Sequence, residues 1–473
     1  FETCLSSSLS SCAALVWPDS SDYLAKFLPT TVLITGHDII FFWVARMIMM
    51  TLKFMDEVPF HTAYIHGIVR DAHGRKMSKT AGNGLDPLDI IDGVDIDTLV
   101  AKRTANLPQP RMSAAIEKRT RAELPHGISA YGTDALRFTM FAIASPGSSY
   151  NFDLKRVEGN HHFCNKLWNA SKFVLANCAG QELGGPIAPT VSDRWIRSRT
   201  RLLVRTVHES IAQYRFDLYA DAIYQFAWGE FCDWYLEISK TVLADDDSSS
   251  EECRSTRCTL LAVLEALLRT AHPIMPFVTE EIWRKVGPLT GRSAATLMHE
   301  VFPAEHEFDP DAQAEETIAW LIDVVSKVRT IRGTRDLSPK RSIQLLLSEG
   351  TAADRTNSDA SRNVLTRLSN ASRVGWLETG QQAPPASIQT CGTMRILIPF
   401  ETEQERLQEV DRVSGKLTEL RARHRLESTK LSNPKFVERA PADVVERARQ
   451  REKDLRISCG VYEEQNAALS GLG

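Results

Sequence analysis

Two lysines three positions apart, Lys76 and Lys79, lie in a loop that spans residues 70–83 and is flanked by glycines. Lysine ammonium groups act as point charges suited to phosphate, and small neighbours such as Gly74 and Gly82 let a backbone approach an anion closely. The pattern is therefore compatible with a polyphosphate clamp. A solvated basic turn has the same composition, and on the loop alone it is the simpler interpretation.

The sequence around the two lysines favours the clamp. Residues 76–80 (KMSKT) resemble the second signature loop of class I aminoacyl-tRNA synthetases, and the flanks 66–71 (HGIVRD) and 82–89 (GNGLDPLD) resemble its setting in valyl-tRNA synthetases. In that family the loop closes on ATP, and its lysines steady the triphosphate as pyrophosphate leaves. The resemblance implies that the cofactor is ATP, bound as its Mg²⁺ complex. It implies Lys76 and Lys79 as catalytic residues, and Met77, Ser78 and Thr80 as further nucleotide contacts.

A second candidate site follows a β-branched run. Residues 31–35 (TVLIT) predict a buried strand, and Gly36 and Asp38 come directly after it, where ligands bind in doubly wound sheets. A lone G-x-D is more often a plain strand-to-helix turn. Residues 36–47 (GHDIIFFWVARM), however, resemble the adenosine-side segment of valyl-tRNA synthetases, which implies that Gly36 and Asp38 lie near adenosine. We expect the apolar residues 39–44 to form helix core.

Composition and cysteine usage limit the class of protein. Of 473 residues, 43% are hydrophobic and 25% are charged, as in a globular protein with a large core. The apolar stretch 39–50 is too short for a membrane span and contains Arg46, and no secretory signal is present. Nine scattered cysteines without a C-x-x-C pair suit a reducing cytoplasm and give no metal site. We therefore expect a cytoplasmic protein with no bound metal and no membrane association.

The net charge of −4 does not by itself indicate a nucleic-acid-binding protein. Charge is unevenly spread, however: residues 412–453 carry twelve Lys and Arg against six Asp and Glu, and residues 327–341 carry six against one. Such basic stretches allow a phosphate-bearing partner, although solvated helix faces are the commoner explanation.

The middle of the chain predicts helices. In residues 131–138 (YGTDALRF), Thr133 or Asp134 is expected to cap a helix, and this segment also resembles the valyl family. After a linker at 180–189, apolar residues at helical spacing predict an antiparallel bundle over residues 190–345. One stripe is rich in aromatic residues and could be read as a base-stacking platform, but its helical spacing is typical of core. It consists of Phe216, Ala220, Ile223, Ala227, Phe231, Trp234 and Ile238. Residues 272–277 (HPIMPF) resemble the class Ia anticodon-binding domain.

The last part of the chain predicts a small mixed module and a helical hairpin. Residues 346–400 are weakly patterned, and residues 401–460 show an a/d rhythm on both sides of a turn. The residues expected at the hairpin seam are Val410, Val413, Leu417, Leu420, Val444, Ala448 and Leu455. Residues 430–441 (KLSNPKFVERAP) resemble the C-terminal coiled coil of valyl-tRNA synthetases, which implies contact with tRNA phosphates. A dimerising coil is the alternative.

Together these segments predict an α/β region followed by helical domains. The resemblance implies that residues 1–180 form the second half of a Rossmann-type class I catalytic domain with the signature loop. An all-α anticodon-binding bundle (190–345), a small mixed module (346–400) and an antiparallel coiled-coil arm (401–460) follow. The implied reaction joins valine and ATP into valyl-adenylate and transfers valine to tRNA(Val), and we expect a monomer.

Some features depart from the family. The H-x-G-H signature of class I synthetases does not occur in this sequence, residue 1 is phenylalanine, and Cys4, Thr80, Ala81 and Gly84 differ from the family pattern. We expect the sequence to be the C-terminal half of a longer enzyme, inactive in valine activation by itself. The alternatives are a stand-alone tRNA-binding protein derived from such an enzyme, or an unrelated phosphate-binding α/β enzyme with a coiled-coil arm.

Overall fold

The structure is a computed structural model, and it describes residues 6–78, 81–105, 107, 109–147, 149–244, 249–378, 381–439 and 441–470. The chain divides into two compact units, Phe1–Ala312 and Gln313–Gly473. Within the described ranges, no helix is long and apolar enough to cross a membrane.

The first unit begins with a two-stranded parallel sheet among short helices. Its elements are α1 (Ser10–Ala13), α2 (Asp22–Phe27), β1 (Thr30–Gly36), a 3-10 turn (His37–Ile39), a π-helical turn (Ile40–Val44), α3 (Ala45–Met55) and β2 (Phe60–His66). The strands pair from Thr30 opposite Phe60 to Gly36 opposite His66. This register brings the carboxyl ends of both strands to the same edge.

Two sequence predictions about this sheet are wrong. β1 is not a buried strand, because β2 is its one partner in the described chain and its Ile34 side chain is 59% exposed. The apolar residues after Asp38 are not all helix core, since Phe41 and Phe42 are 82% and 66% exposed. Side chains alternate between the two faces of a sheet, so a strand is buried throughout only where both faces are covered. Sequence patterning alone does not reveal whether both covering layers exist.

The rest of the α/β region contains a core to which three of its helices contribute. Its elements are β3 (Val69–Arg70), α4 (Pro87–Asp92), α5 (Ile96–Thr104), α6 (Ser113–Glu123), α7 (Thr133–Ile143), β4 (Tyr150–Asn151) and α8 (Leu154–Cys178). β3 pairs in parallel with β4. The buried side chains of the core are Ile90, Ala135, Ile143, Phe152 and Val157. Residues on α4, α7 and α8 thus share one core with the segment that follows β4.

A helical bundle completes the first unit. It consists of α9 (Val191–Ala212), α10 (Phe216–Tyr224), a π-helical stretch (Gln225–Tyr235), α11 (Leu236–Leu243), α12 (Ser250–Ala271), α13 (Pro276–Val286) and 3-10 turns at Gly287–Thr290, Leu297–His299 and Glu305–Glu307. The predicted apolar stripe is core, since Ala220, Ile223, Phe231 and Ile238 are all buried. The prediction of core rather than a base-stacking platform is confirmed for these residues.

The predicted cap of α7 is wrong. Neither Thr133 nor Asp134 caps the helix; Gly132, with φ of +83°, occupies the cap position without a side-chain hydrogen bond. The Asp134 carboxylate instead accepts hydrogen bonds from the backbone N–H groups of Phe277 and Val278, at 3.3 and 2.6 Å. The Asp134 side chain therefore accepts hydrogen bonds from the first turn of α13. The first N–H groups of a helix have no partner within that helix and need such an acceptor.

The second unit contains a four-stranded sheet and three helices beside it. Its elements are α14 (Ala312–Thr334), β5 (Ile343–Ser348), α15 (Ala352–Ala360), α16 (Arg362–Ser369), β6 (Ala371–Trp376), β7 (Ala386–Cys391) and β8 (Met394–Pro399). The strand order is β6-β5-β8-β7. β5 and β6 are parallel, and the other pairs are antiparallel. The weakly patterned region thus forms a mixed sheet.

A helical hairpin ends the described chain. Its long helices are α17 (Glu403–Leu431) and α19 (Ala442–Ser470), joined through the short α18 (Pro434–Arg439). Val413, Leu417 and Leu420 are buried as expected, and Ala448 is buried on the returning helix. Val444 is 40% exposed, and Val445 is buried in its place. The predicted seam is one residue out of register there, because Val445, and not Val444, lies two whole heptads before the buried Cys459 of the seam.

A buried ion-pair network ties the bundle to the segment after α13. Arg269, 3% exposed, donates from Nη2 to Glu265 at 2.8 Å and to Glu307 at 2.5 Å. Arg292 lies 3.1 Å from the same Glu265 carboxylate. Buried charges need such partners, since an unpaired one keeps its full desolvation cost.

We expect Arg269→Ala to lower the free energy of unfolding by about 3 kcal/mol, because it leaves a buried Glu265 with one remaining cation. Arg284→Ala is the matched control: Arg284 pairs with Glu281 on the surface, and its loss should cost less than about 0.5 kcal/mol. Urea unfolding followed by circular dichroism measures both. Equal effects of the two substitutions would contradict the role of the network.

Candidate active site

The signature loop, residues 70–83, leaves β3 and returns through a tight turn. Arg70 forms an antiparallel bridge with Lys76, and Asp71 donates its backbone N–H to the carbonyl of Arg75 at 2.9 Å. Gly74 closes the turn with a φ of +77°, a conformation that L side chains rarely adopt. Lys76 thus lies on a short hairpin of hydrogen-bonded backbone. We call residues 70–77 the outgoing limb of the signature loop and residues 78–83 its returning limb.

The Asp71 carboxylate is the hub of this loop. It is 8% exposed, and its Oδ1 accepts hydrogen bonds from the backbone N–H groups of His73 and Arg75 at 3.0 and 2.8 Å. Its Oδ2 accepts from Arg75 Nε at 2.8 Å and from Asn83 Nδ2 at 3.0 Å. Burial acts to raise the pKa of Asp71, but the hydrogen bonds from Asn83 and Arg75 outweigh it and lower the pKa to about 2. The hub is therefore an anion at neutral pH.

Asn83 connects the hub to the rest of the loop. Its Nδ2 also donates to the carbonyl of Lys76 at 3.2 Å, and its Oδ1 accepts from the backbone N–H of Ser78 at 3.0 Å. The Ser78 hydroxyl in turn accepts from the backbone N–H of Ala81 at 3.1 Å. One amide side chain thus fixes the backbone on both sides of Met77.

The predicted signature-loop residues take different positions. The Lys76 side chain is exposed, whereas Met77 packs against the core of α4, α7 and α8. Ser78 is half-buried within the loop's hydrogen bonds. Lys79 and Thr80 lie outside the described residues. The arrangement anchors the loop through its backbone and Met77 and leaves the Lys76 ammonium in solvent, where a polyanion can reach it.

Gly36 and Asp38 lie together at the end of β1. Gly36 is buried opposite His66, and a Cβ placed on it would lie 2.7 Å from the Asp38 carboxylate. Asp38 itself is exposed in the 3-10 turn. Among the described residues, no hydrogen bond or ion pair joins these two to residues 70–83. The structure therefore brings the pair together without connecting it to the signature loop.

Sequence reasoning missed the parts played by Asp71 and Asn83. Both lie in the segment that indicated a phosphate clamp, where the lysines carry the charge and these two short polar side chains hold the backbone. A signal was present: Asp71 precedes Gly74 by three residues, and aspartate or asparagine at the start of a tight turn accepts hydrogen bonds from the following backbone.

Comparison with protein families matches three parts of the chain. Residues 1–153 match the class I tRNA synthetases of the isoleucine, leucine, methionine and valine group. Residues 193–347 match the anticodon-binding domain of tRNA ligases, and residues 401–469 match the tRNA-binding arm of valyl-tRNA synthetases. A class I catalytic domain is therefore followed by an anticodon-binding domain.

Curated relatives match over essentially the whole chain. A valine–tRNA ligase of Coxiella burnetii is 40% identical over 475 residues, covering 100% of this chain and 51% of the relative. A valine–tRNA ligase of Xanthomonas euvesicatoria pv. vesicatoria is 44% identical over 482 residues, covering 99% of this chain and 48% of the relative. The chain thus spans about half the length of the curated relatives it matches. These similarities place the chain in the valine–tRNA ligase family of class I aminoacyl-tRNA synthetases.

Proposed function

We propose that the chain provides the signature-loop side of an adenylate-forming site and the tRNA-binding parts of a valine–tRNA ligase. In the proposed reaction the valine carboxylate attacks the α-phosphate of ATP, pyrophosphate leaves, and the valyl group then passes to a terminal ribose hydroxyl of tRNA(Val). The observation that carries the proposal is the Asp71–Asn83 network. It holds the backbone on each side of Met77 and leaves Lys76 exposed, within a chain of this family.

The proposed residue roles follow the charge that develops in the reaction. Lys79 is the principal contact for the triphosphate, and Lys76 is its partner. Cations held at the leaving pyrophosphate stabilise the transition state more than bound ATP, so they lower the barrier. Met77, Ser78 and Thr80 make the remaining contacts between the loop and the nucleotide. Gly36 and Asp38 take the adenosine side, where the exposed Asp38 carboxylate can accept ribose hydroxyls.

Magnesium enters this proposal with the nucleotide. In the described part of the chain, no three His, Cys, Asp or Glu side chains converge to hold a metal ion. Mg²⁺ suits phosphate oxygens and water rather than an all-protein cage. The ion therefore belongs to the ATP complex, and the lysines of the loop act beside it.

The remaining domains are proposed to bind tRNA(Val). We assign a Rossmann-type catalytic region to residues 1–180, the anticodon-binding bundle to 190–345, the mixed module to 346–400 and a coiled-coil arm to 401–460. Basic side chains dominate residues 412–453, and the buried residues Leu417, Leu420 and Cys459 hold the two long helices together. We propose that the protein acts as a monomer in the cytoplasm.

Lys79→Ala in a complete valine–tRNA ligase that carries this chain should slow valine-dependent ATP–pyrophosphate exchange by on the order of a hundredfold. The lysine meets charge that appears as pyrophosphate leaves, so its loss costs roughly 3 kcal/mol in the transition state. Binding of tRNA(Val) should remain. Lys155→Ala, at an exposed lysine of α8, is the control and should exchange normally. Unchanged pyrophosphate exchange in Lys79→Ala would show that the loop is only a solvated basic turn.

Replacing Arg425, Arg451 and Lys453 of the hairpin by alanine should weaken binding to every tRNA alike. All three are exposed, and contacts to phosphate carry no base sequence information. Each lost phosphate contact should also flatten the dependence of log affinity on log salt by about 0.9.

Filter binding across a salt series, with tRNA(Val) and an unrelated tRNA, measures both effects. Alanine at the exposed Arg367 and Arg373 of the mixed module is the control. An unchanged salt slope in the triple variant would assign the hairpin to dimerisation instead. Equal affinity of the parent chain for both tRNAs would remove the specificity part of the proposal.

A further inference from the structure

Helix α6 (Ser113–Glu123) contacts both limbs of the signature loop. It lies in residues 97–123, a polar segment rich in lysine and arginine. On the returning limb, Arg119 Nη2 donates to the carbonyl of Ala81 at 2.6 Å. On the outgoing limb, Glu123 lies 3.7 Å from His73 and 4.0 Å from Arg75.

Close packing adds to these polar contacts. Gly82, with a φ of +57°, approaches α6 so closely that a Cβ on it would lie 2.7 Å from Ile116. Ile116 is itself 2% exposed, so it has little room to move. A glycine is needed here both for the left-handed backbone and for the approach of the helix.

α6 is itself firmly held. Thr120, fully buried, accepts a hydrogen bond from Arg103 of α5 at 3.2 Å, and Arg121 pairs with Asp97 of α5 at 2.8 Å. α5 is joined in turn to α4 by the ion pair of Lys102 with the buried Asp89. The helix is therefore a fixed part of the unit, and contacts with it restrain the loop.

The contacts differ in strength. The ion pairs of Glu123 involve side chains that are 38% to 65% exposed, and such pairs contribute little. The hydrogen bond from Arg119 is half-buried and charge-assisted, and it acts on a backbone carbonyl two residues after Lys79. Among the polar contacts that α6 makes, the hydrogen bond from Arg119 therefore restrains the loop most.

We propose that α6 braces the signature loop and that Arg119 is a positioning residue for its lysines. This inference rests on the proposed function of the loop in ATP binding. The guanidinium touches no substrate; it fixes the Ala81 carbonyl and, with the Ile116–Gly82 packing, sets where the backbone returns. Without it the Ala81 carbonyl loses its side-chain partner and the position of the loop is less restrained, so nucleotide should bind less well.

Limited trypsin digestion of the 473-residue chain tests the brace without reference to activity. Trypsin cuts after lysine and arginine, so cleavage within residues 75–79 reports local opening of the loop. Arg119→Ala should raise that cleavage rate on the order of tenfold, because a hydrogen bond to a charged group is lost. Lys118→Ala, at the exposed neighbour on the same helix, should leave it unchanged, and Arg119→Lys should fall between. Equal rates in Arg119→Ala and Lys118→Ala would overturn the brace.

Kinetics of the complete ligase separate positioning from stability. With the fraction of active enzyme measured, Arg119→Ala should raise KM for ATP on the order of tenfold and leave KM for valine unchanged. A lower active fraction with normal KM for ATP would overturn the positioning role and leave only a structural one. If Lys79→Ala leaves exchange intact, the proposed function fails, while the trypsin result still decides whether α6 braces the loop.

Discussion

The buried carboxylate of Asp71 accepts four hydrogen bonds, and the geometry of the signature loop depends on them. Two come from backbone N–H groups of the outgoing limb and one from the Arg75 side chain. The fourth comes from Asn83, twelve residues away, which carries the restraint to Lys76 and Ser78. The backbone on both sides of Met77 is thereby held in place. In the proposed reaction, this preorganisation would let Lys76 meet the charge that develops on the leaving pyrophosphate without a further cost for ordering its backbone.

The surroundings of the loop extend this restraint outward. Met77 inserts into the core shared by α4, α7 and α8, and α6 contacts the two limbs from another side. α7 then reaches the bundle, since its Asp134 binds the N-terminus of α13 and its Arg137 donates to the carbonyls of Pro273 and Ile274. The loop and the bundle therefore share a framework of side chains with fixed partners.

Sequence reasoning predicted the features that depend on local pattern. The strand at 31–35, the apolar stripe of the bundle and the hairpin all appear, because residue spacing determines which face of an element is apolar. The predictions failed where the outcome depends on residues far along the chain or on which neighbouring strands are present. The exposure of Ile34 depends on which strands flank β1, and the acceptor role of Asp134 depends on residues more than 140 positions later. The burial of Val445 instead of Val444 shows that an apolar pattern can predict a helix correctly and still misplace by one residue the side chain that faces the seam. At the candidate site, the lysines were evident from the sequence, and the hub was not.

Amide hydrogen exchange in Asp71→Ala tests the central claim, that one carboxylate holds both limbs of the loop. The Ser78 amide is bonded to Asn83 and not to Asp71, so it reports on the connection rather than on a directly broken bond. Exchange at Ser78 should accelerate on the order of tenfold, together with His73 and Arg75, while amides in α8 keep their protection. Faster exchange at His73 and Arg75 with Ser78 unchanged would contradict the account, because the two limbs would then be held independently.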